Sequence, residues 1–269
     1  MLNVLIALET DLASSIALRY ACRFEKLIRF NMQVIHIPDL DKQSHPPGGG
    51  WVHRTWENAV VQQSGREIRK LIREERGYCY NAGEPKIIPG EKDQVILEEL
   101  RKKRYDFFIE GFLHSFEPDR FFQKLDSDLY RHLPCPALMV KNMVDPDRGI
   151  QIVGTPDTFS FELYWFFKIL SGMVAEPDIL VCQFKTSGDK ATLLENDKDL
   201  ISGIETGMSK YEKAAGRIRT AEGTSDGLAA LVRNHALLVS PLPESGSPMA
   251  HMLSRSPCPI LFCPEPKKS

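Results

Sequence analysis

One short pattern occurs twice in this chain, and it constrains the fold more than any other feature. Arg131-His132-Leu133-Pro134-Cys135-Pro136-Ala137-Leu138-Met139-Val140 is echoed by Ser254-Arg255-Ser256-Pro257-Cys258-Pro259-Ile260-Leu261-Phe262-Cys263. In each copy a helical pattern runs into Pro-Cys-Pro, and a purely apolar, strand-like run follows. The first proline stops the helix, because the residue before it is pushed out of the α region and the ring removes a donor. The second proline sits at the first strand position, where a missing N–H is tolerated. The stretch is therefore a helix-to-strand joint that closes a unit, and two joints imply two units.

The segments between the joints alternate between buried strands and amphipathic helices. Val4 to Leu8 is a continuous apolar run, as expected of a strand covered on both faces of a parallel sheet. Asp11 offers an N-cap, and Ile16, Tyr20, Phe24 and Leu27 recur at helical spacing before a second strand at residues 33–37. A turn-rich segment at 38–50, a long helix from about Trp51 to Glu75, and a short outer strand at Lys86 to Ile88 follow. The pattern then predicts a helix over 91–104, a strand over 105–109, a helix over 118–133 and a last strand over 137–140. Residues 142–148 are polar and contain proline, as a linker would. The order then repeats, with strands at 150–153, 179–182, 217–220 and 236–239, and Gly223 mirrors Gly90. Phe159 to Met173 is apolar around most of a helix, so it is expected to be buried on more than one side, between the halves or against a partner.

Composition narrows the function classes. A net charge of -2 supplies no general attraction to nucleic acid or anionic membrane. Six scattered cysteines, with no C-x-x-C pair and no zinc spacing, read as reduced thiols of a cytoplasmic protein. The apolar start, residues 1–8, lacks a basic leader and reads as a strand, and no segment is apolar enough to span a bilayer. No G-x-S-x-G, H-E-x-x-H, Walker loop or paired-carboxylate signature occurs, so no catalytic or metal-ligating residues are assigned. His132 and Cys135 are separated by the proline-locked joint, a poor geometry for a nucleophile pair.

Two units of alternating strands and helices, each ending in helix-Pro-Cys-Pro-strand, resemble the universal stress protein family in its tandem-domain form. The most specific residues are the joint at 131–140, the segment Tyr105-Asp106-Phe107-Phe108-Ile109-Glu110-Gly111, and Gly90 followed by Ile96. The resemblance implies domains at 1–143 and 149–265, each an α/β unit with a doubly wound, Rossmann-like parallel sheet of five strands. It also implies a pseudo-two-fold pairing of the halves through their last strands, with a homodimer or a protein partner as a further level of assembly. A cytoplasmic role in stress response and, in one branch, ATP or AMP bound at the C-terminal ends of the strands are implied as well.

That branch uses an acid after the first strand and a Gly-x-x-Gly, nine residues, Gly-Ser/Thr motif after the fourth. Its glycines let backbone N–H groups approach phosphate, and its hydroxyl stands at a helix N-terminus. Carried over residue by residue, the resemblance places Glu9 at the acid, Val34 at the second strand and Gly111 at the first glycine. His114 stands at the second glycine and Gln123-Lys124 at the Gly-Ser pair. In the second half Gly246 and Ser247 match the last element, but the upstream glycines are absent and Gly154-Thr155 lies where the acid should be. Ser247 followed by Pro248 is also an ordinary helix start. Neither half has a complete nucleotide motif. The expectation is a binding or regulatory module with degenerate nucleotide sites and no certain cofactor; an irregular ATP or AMP site in the first half is the alternative, and an adenine-nucleotide-handling enzyme the third reading.

Overall fold

A computed structural model describes residues 2–25, 30–40, 51–75, 83–113, 117–157, 159, 176–188, 190–195, 198–209 and 216–264. The first half comprises β1 (Leu2–Ala7), α1 (Leu12–Glu25), β2 (Phe30–His36), α2 (Trp51–Glu74), β3 (Lys86–Ile87), α3 (Lys92–Lys102), β4 (Phe107–Gly111), α4 (Pro118–Leu125), α5 (Asp128–Arg131) and β5 (Ala137–Val140). A 3-10 turn at Pro146–Arg148 leads to the second half. Its described elements are β6 (Ile150–Gly154), β7 (Asp178–Phe184), β8 (Thr192–Leu194), α6 (Lys198–Ser209), β9 (Ile218–Gly223), α7 (Ser225–Val232), β10 (Leu237–Pro241), α8 (Pro248–Arg255) and β11 (Ile260–Cys263).

The eleven described strands form one continuous sheet in the order β3-β2-β1-β4-β5-β11-β10-β6-β7-β9-β8. Within each half five strands run parallel, and the halves meet where β5 and β11 pair antiparallel, Leu138 opposite Leu261. The expected pair of five-stranded sheets is thus a single sheet joined through its last strands. Alternation along β1 explains why both faces are covered. Val4, Ile6 and Leu8 point into one core with α1 and α2, whereas Leu5 and Ala7 point into the other with α3, α4 and α5. Both cores run through the junction, the second carrying Phe121, Tyr130, Met252 and Phe262 together. The Tyr20 hydroxyl adds a buried link, donating to the Ala236 carbonyl of the other half at 3.1 Å.

The two Pro-Cys-Pro joints are built alike. The carbonyls of Pro136 and Pro259 each accept from the neighbouring strand, from Phe108 N–H and Leu238 N–H, both at 2.9 Å. Each proline thus supplies an acceptor to the ladder although it has no N–H to donate. Cys135 and Cys258 are buried in the core beneath these joints.

Several boundaries differ from the expectations. The helix predicted over 118–133 is broken into α4 and α5, because Ser127 is extended and its hydroxyl caps Tyr130 N–H. The strand expected at 105–109 begins later, at Phe107, since Asp106 is held to Asn3 in the turn before it. Glu91 is the N-cap of α3, its carboxylate accepting from the N–H groups of Asp93 and Gln94. Strand β8 was not expected: its three residues pair antiparallel with β9 at the far edge. Of the apolar segment 159–173, Phe159 is buried in the first core, and the remainder lies outside the described residues. Cys135, Cys182, Cys258 and Cys263 are buried thiols outside any disulfide. Cys22 is disulfide-bonded, which departs from the expectation of six reduced thiols.

Candidate functional site

Open parallel sheets bind ligands outside the C-terminal ends of their strands. At that edge of the first half lies a cavity of about 490 Å³, lined by Glu9, Ile37, Asp39, Leu40, Gly90, Glu91 and Lys92. Glu9 follows β1, Ile37 follows β2, and Gly90 to Lys92 form the turn from β3 into α3. The Glu9 backbone is fixed by its N–H donating to Ser14 Oγ at 2.7 Å, and Ser14 N–H in turn donates to Asp11 at 2.8 Å. Asp11 thus performs the expected capping of α1. Gly90 has φ of 146°, which favours glycine and lets the chain turn sharply into Glu91.

The charged groups here are already engaged. Lys92 Nζ donates to the Glu9 carboxylate in a close ion pair. Burial works against the Lys92 ammonium, but the carboxylates of Glu110 and Glu9 outweigh it and raise its pKa above the ordinary lysine value. Behind it, Glu110 on β4 is almost wholly buried and receives Lys124 Nζ at 2.9 Å. Lys124 also lies 5.3 Å from the centre of the Tyr130 ring. Burial first, then the Glu110 carboxylate, drive the Tyr130 phenol pKa upward. His36, one strand away, holds its Nδ1 2.7 Å from the Leu8 carbonyl, and burial lowers its pKa. Two carboxylates and two ammonium groups therefore neutralise one another at the edge of β1 and β4.

The residues singled out from the sequence fall in different places. Glu9 lines the cavity, whereas Val34 is fully buried in the core and Ile37, three residues on, occupies the lining. Gly111 ends β4, and a Cβ there would stand 2.1 Å from the Ala13 carbonyl oxygen. Its lack of a side chain serves the close packing of the α1 start on β4. Gln123 and Lys124 border a shallower cavity of about 350 Å³ with Asp93, Phe112, Arg120 and Ser127. His114 lies outside the described residues. Gly246 takes φ of 73°, and Ser247 caps α8 by accepting from Ala250 N–H at 3.2 Å. In the second half the counterpart of the Gly90 turn is covered: Cβ atoms at Gly223 and Gly227 would meet Ala191 at 2.8 Å and 2.7 Å. Ala191, just before β8, lies over that turn.

Sequence reasoning missed Lys92, Glu110 and Lys124 as a group. Lys92 was detectable as the residue after a strand-end glycine and a capping glutamate. Its meeting with Glu9 across 83 positions was not. Among the described residues no cluster of three or more His, Cys, Asp or Glu side chains is placed to hold a metal ion, and no helix is long and apolar enough to cross a membrane.

No protein-family model matches the chain, and no curated protein matches it. Solved structures do. A universal stress protein from Archaeoglobus fulgidus aligns with a TM-score of 0.65 at 14% identity, covering 100% of this chain and 98% of its own. A protein of unknown function from Pseudomonas aeruginosa aligns with a TM-score of 0.55 at 14% identity, over 98% of this chain and 92% of its own. A protein assigned as a universal stress protein from another strain of that organism aligns with a TM-score of 0.53 at 14% identity, over 98% and 93%. Near-complete coverage in both directions extends the match across both halves, so the chain has the fold of a universal stress protein in its two-domain form.

Proposed function

We propose that the chain is a tandem universal stress protein, with domains at 1–143 and 149–265, that works as a cytoplasmic binding or regulatory module without a complete triphosphate site. The carrying observation is the set of ion pairs Glu9–Lys92 and Glu110–Lys124 at the C-terminal edge of β1 and β4. A triphosphate brought to that edge would face Glu9, Asp39 and Glu91 in the cavity lining, with Lys92 of that lining already paired to Glu9. Glu9–Lys92 is half-exposed, so freeing its lysine costs only about 0–1 kcal/mol and leaves the Glu9 carboxylate facing the phosphates, whereas breaking the buried Glu110–Lys124 pair costs about 3–5 kcal/mol. The covered Gly223 turn supports the same reading for the second half.

One observation favours ATP or AMP as a second reading. The first-half cavity is open and of nucleotide size, with Glu9 placed where a carboxylate could accept ribose hydroxyls. Mass spectrometry of ligand released from denatured, freshly purified protein, together with thermal-shift titrations of ATP and AMP, separates the two. The module reading expects neither released nucleotide nor a shift. Co-purified nucleotide, or a saturable shift that Glu9→Ala removes, would replace it with the nucleotide-binding reading.

A further inference from the structure

A second cavity of about 490 Å³ lies at the opposite end of the first-half strands, where β1, β2 and β4 begin. Its walls include Asn3 from β1, Asn31 and Gln33 from β2, and Lys103, Arg104 and Tyr105 between α3 and β4. The carboxylates near it are committed elsewhere. Glu99 receives Lys86 Nζ at 2.6 Å and the Tyr105 hydroxyl at 2.8 Å, and Asp106 accepts from Asn3 N–H at 2.8 Å. Gln33 Nε2 donates to the carbonyls of Val34 and Glu84. Lys103 and Arg104 are exposed and form no ion pair among the described residues, and the Asn3 and Asn31 side-chain amides form no hydrogen bond among them.

The end of α3 would by itself present partial negative charge. Lys102 in its last turn pairs with Glu98 at 3.1 Å and Arg101 offsets the helix-end charge, so Lys103 and Arg104 remain as surplus. Among the described residues the cavity walls therefore carry two cations and no carboxylate, whereas those of the cavity of equal volume at the other end carry Glu9, Asp39 and Glu91 against Lys92. Coulomb attraction sends an anion to the lower cavity and away from the upper one.

We propose that this lower cavity binds a phosphate-bearing small molecule, its anion held by Lys103 and Arg104 and its polar body by the amides of Asn3 and Asn31. The guanidinium offers a planar fork that matches phosphate oxygens, and the lysine a mobile point charge. A concave space of this volume falls in the range of small-molecule sites. The chain's net charge of -2 argues against an extended polyanion such as nucleic acid as the occupant. The site is distinct from the one discussed under the proposed function, and its ligand need contain no adenine or ribose.

Equilibrium dialysis of the full chain with inorganic pyrophosphate at about 50 mM salt tests this, because the probe carries the anion alone. Saturable binding at one per chain is expected. Lys103→Glu with Arg104→Glu should weaken it at least tenfold, about 1.4 kcal/mol. Lys70→Glu with Arg73→Glu makes the same change in net charge on α2, outside the cavity lining, and should leave affinity within about twofold. If the reversed pair does not fold, Lys103→Ala with Arg104→Ala supplies the comparison. Absence of saturable binding, an unchanged affinity in the cavity variant, or an equal loss in the control pair would each overturn the proposal.

Discussion

Lys141 offers the sharpest test of how the halves are joined. It follows β5 of the first half, is 3% exposed, and reaches the last turn of α8 in the second half. Its Nζ donates to the carbonyls of Leu253 and Ser254 at 2.9 Å each and of Ser256 at 2.6 Å, beneath the Phe121 ring at 5.1 Å. The end of a helix leaves carbonyls without intrahelical partners, and here a lysine from the other half satisfies them. Lys141→Met keeps most of the alkyl packing and removes the donors. Leu253 retains a bond from Ser256 N–H, so two carbonyls are orphaned. At about 1–3 kcal/mol for each orphaned acceptor, less what the methionine recovers, the loss is about 3 kcal/mol. In a chain of 269 residues that lowers Tm by roughly 5 °C.

The pH dependence adds a second, independent readout. Burial pushes the Lys141 ammonium down to about 7 from 10.5, with the Cys258 thiolate opposing the shift. Between those values the unfolded chain holds a proton that the folded chain has released, so this residue's contribution to stability grows as pH rises. From pH 6 to pH 9 the growth is about 3 kcal/mol, and the methionine variant lacks it. Urea unfolding followed by far-UV circular dichroism at both pH values should show wild type and variant separated by about 3 kcal/mol at pH 6 and about 6 kcal/mol at pH 9. Coincident curves would refute the capping role. A constant separation would refute the titration.

Two further outcomes follow from packing alone. Gly111→Ala places a methyl group against the Ala13 backbone, which cannot yield as a flexible side chain would, and should destabilise the chain by about 2–3 kcal/mol in the same unfolding assay. Unchanged stability would show that the start of α1 moves freely. The four buried thiols Cys135, Cys182, Cys258 and Cys263 should resist an aromatic disulfide reagent in the native state and react on denaturation, since burial pushes the Cys182 thiol up to about 12 and raises that of Cys258. Rapid labelling of Cys182 in native protein would contradict its placement.

Local chemistry made much of the fold legible. The run Val4 to Leu8, the prolines of the two joints, the glycine of the Gly90 turn and the periodic apolar faces of the helices each act within a few residues, so their meaning is readable in place. Where a side chain redirects the backbone locally, as Ser127 does between α4 and α5, pattern reading smoothed over the break. β8 escaped notice because a three-residue edge strand has too little alternation to register, and its pairing with β9 is a tertiary event.

The candidate site was legible only as a location. Residue pattern alone places strand ends near Glu9 and Gly111, a turn at Gly90, and an incomplete phosphate motif in both halves. What fills those places follows only from packing. It buried Val34 and brought Ile37 forward, closed Glu9 on Lys92 and Glu110 on Lys124, and seated Ala13 where Gly111 admits no Cβ. It also carried Lys141 across to the end of α8, some 112 to 115 positions away. The physical reason is the range of the forces involved. Backbone propensity and hydrophobic period act over one or two turns, whereas ion pairs, caps supplied from a distant segment and backbone contacts exist only once remote parts of the chain have been packed together.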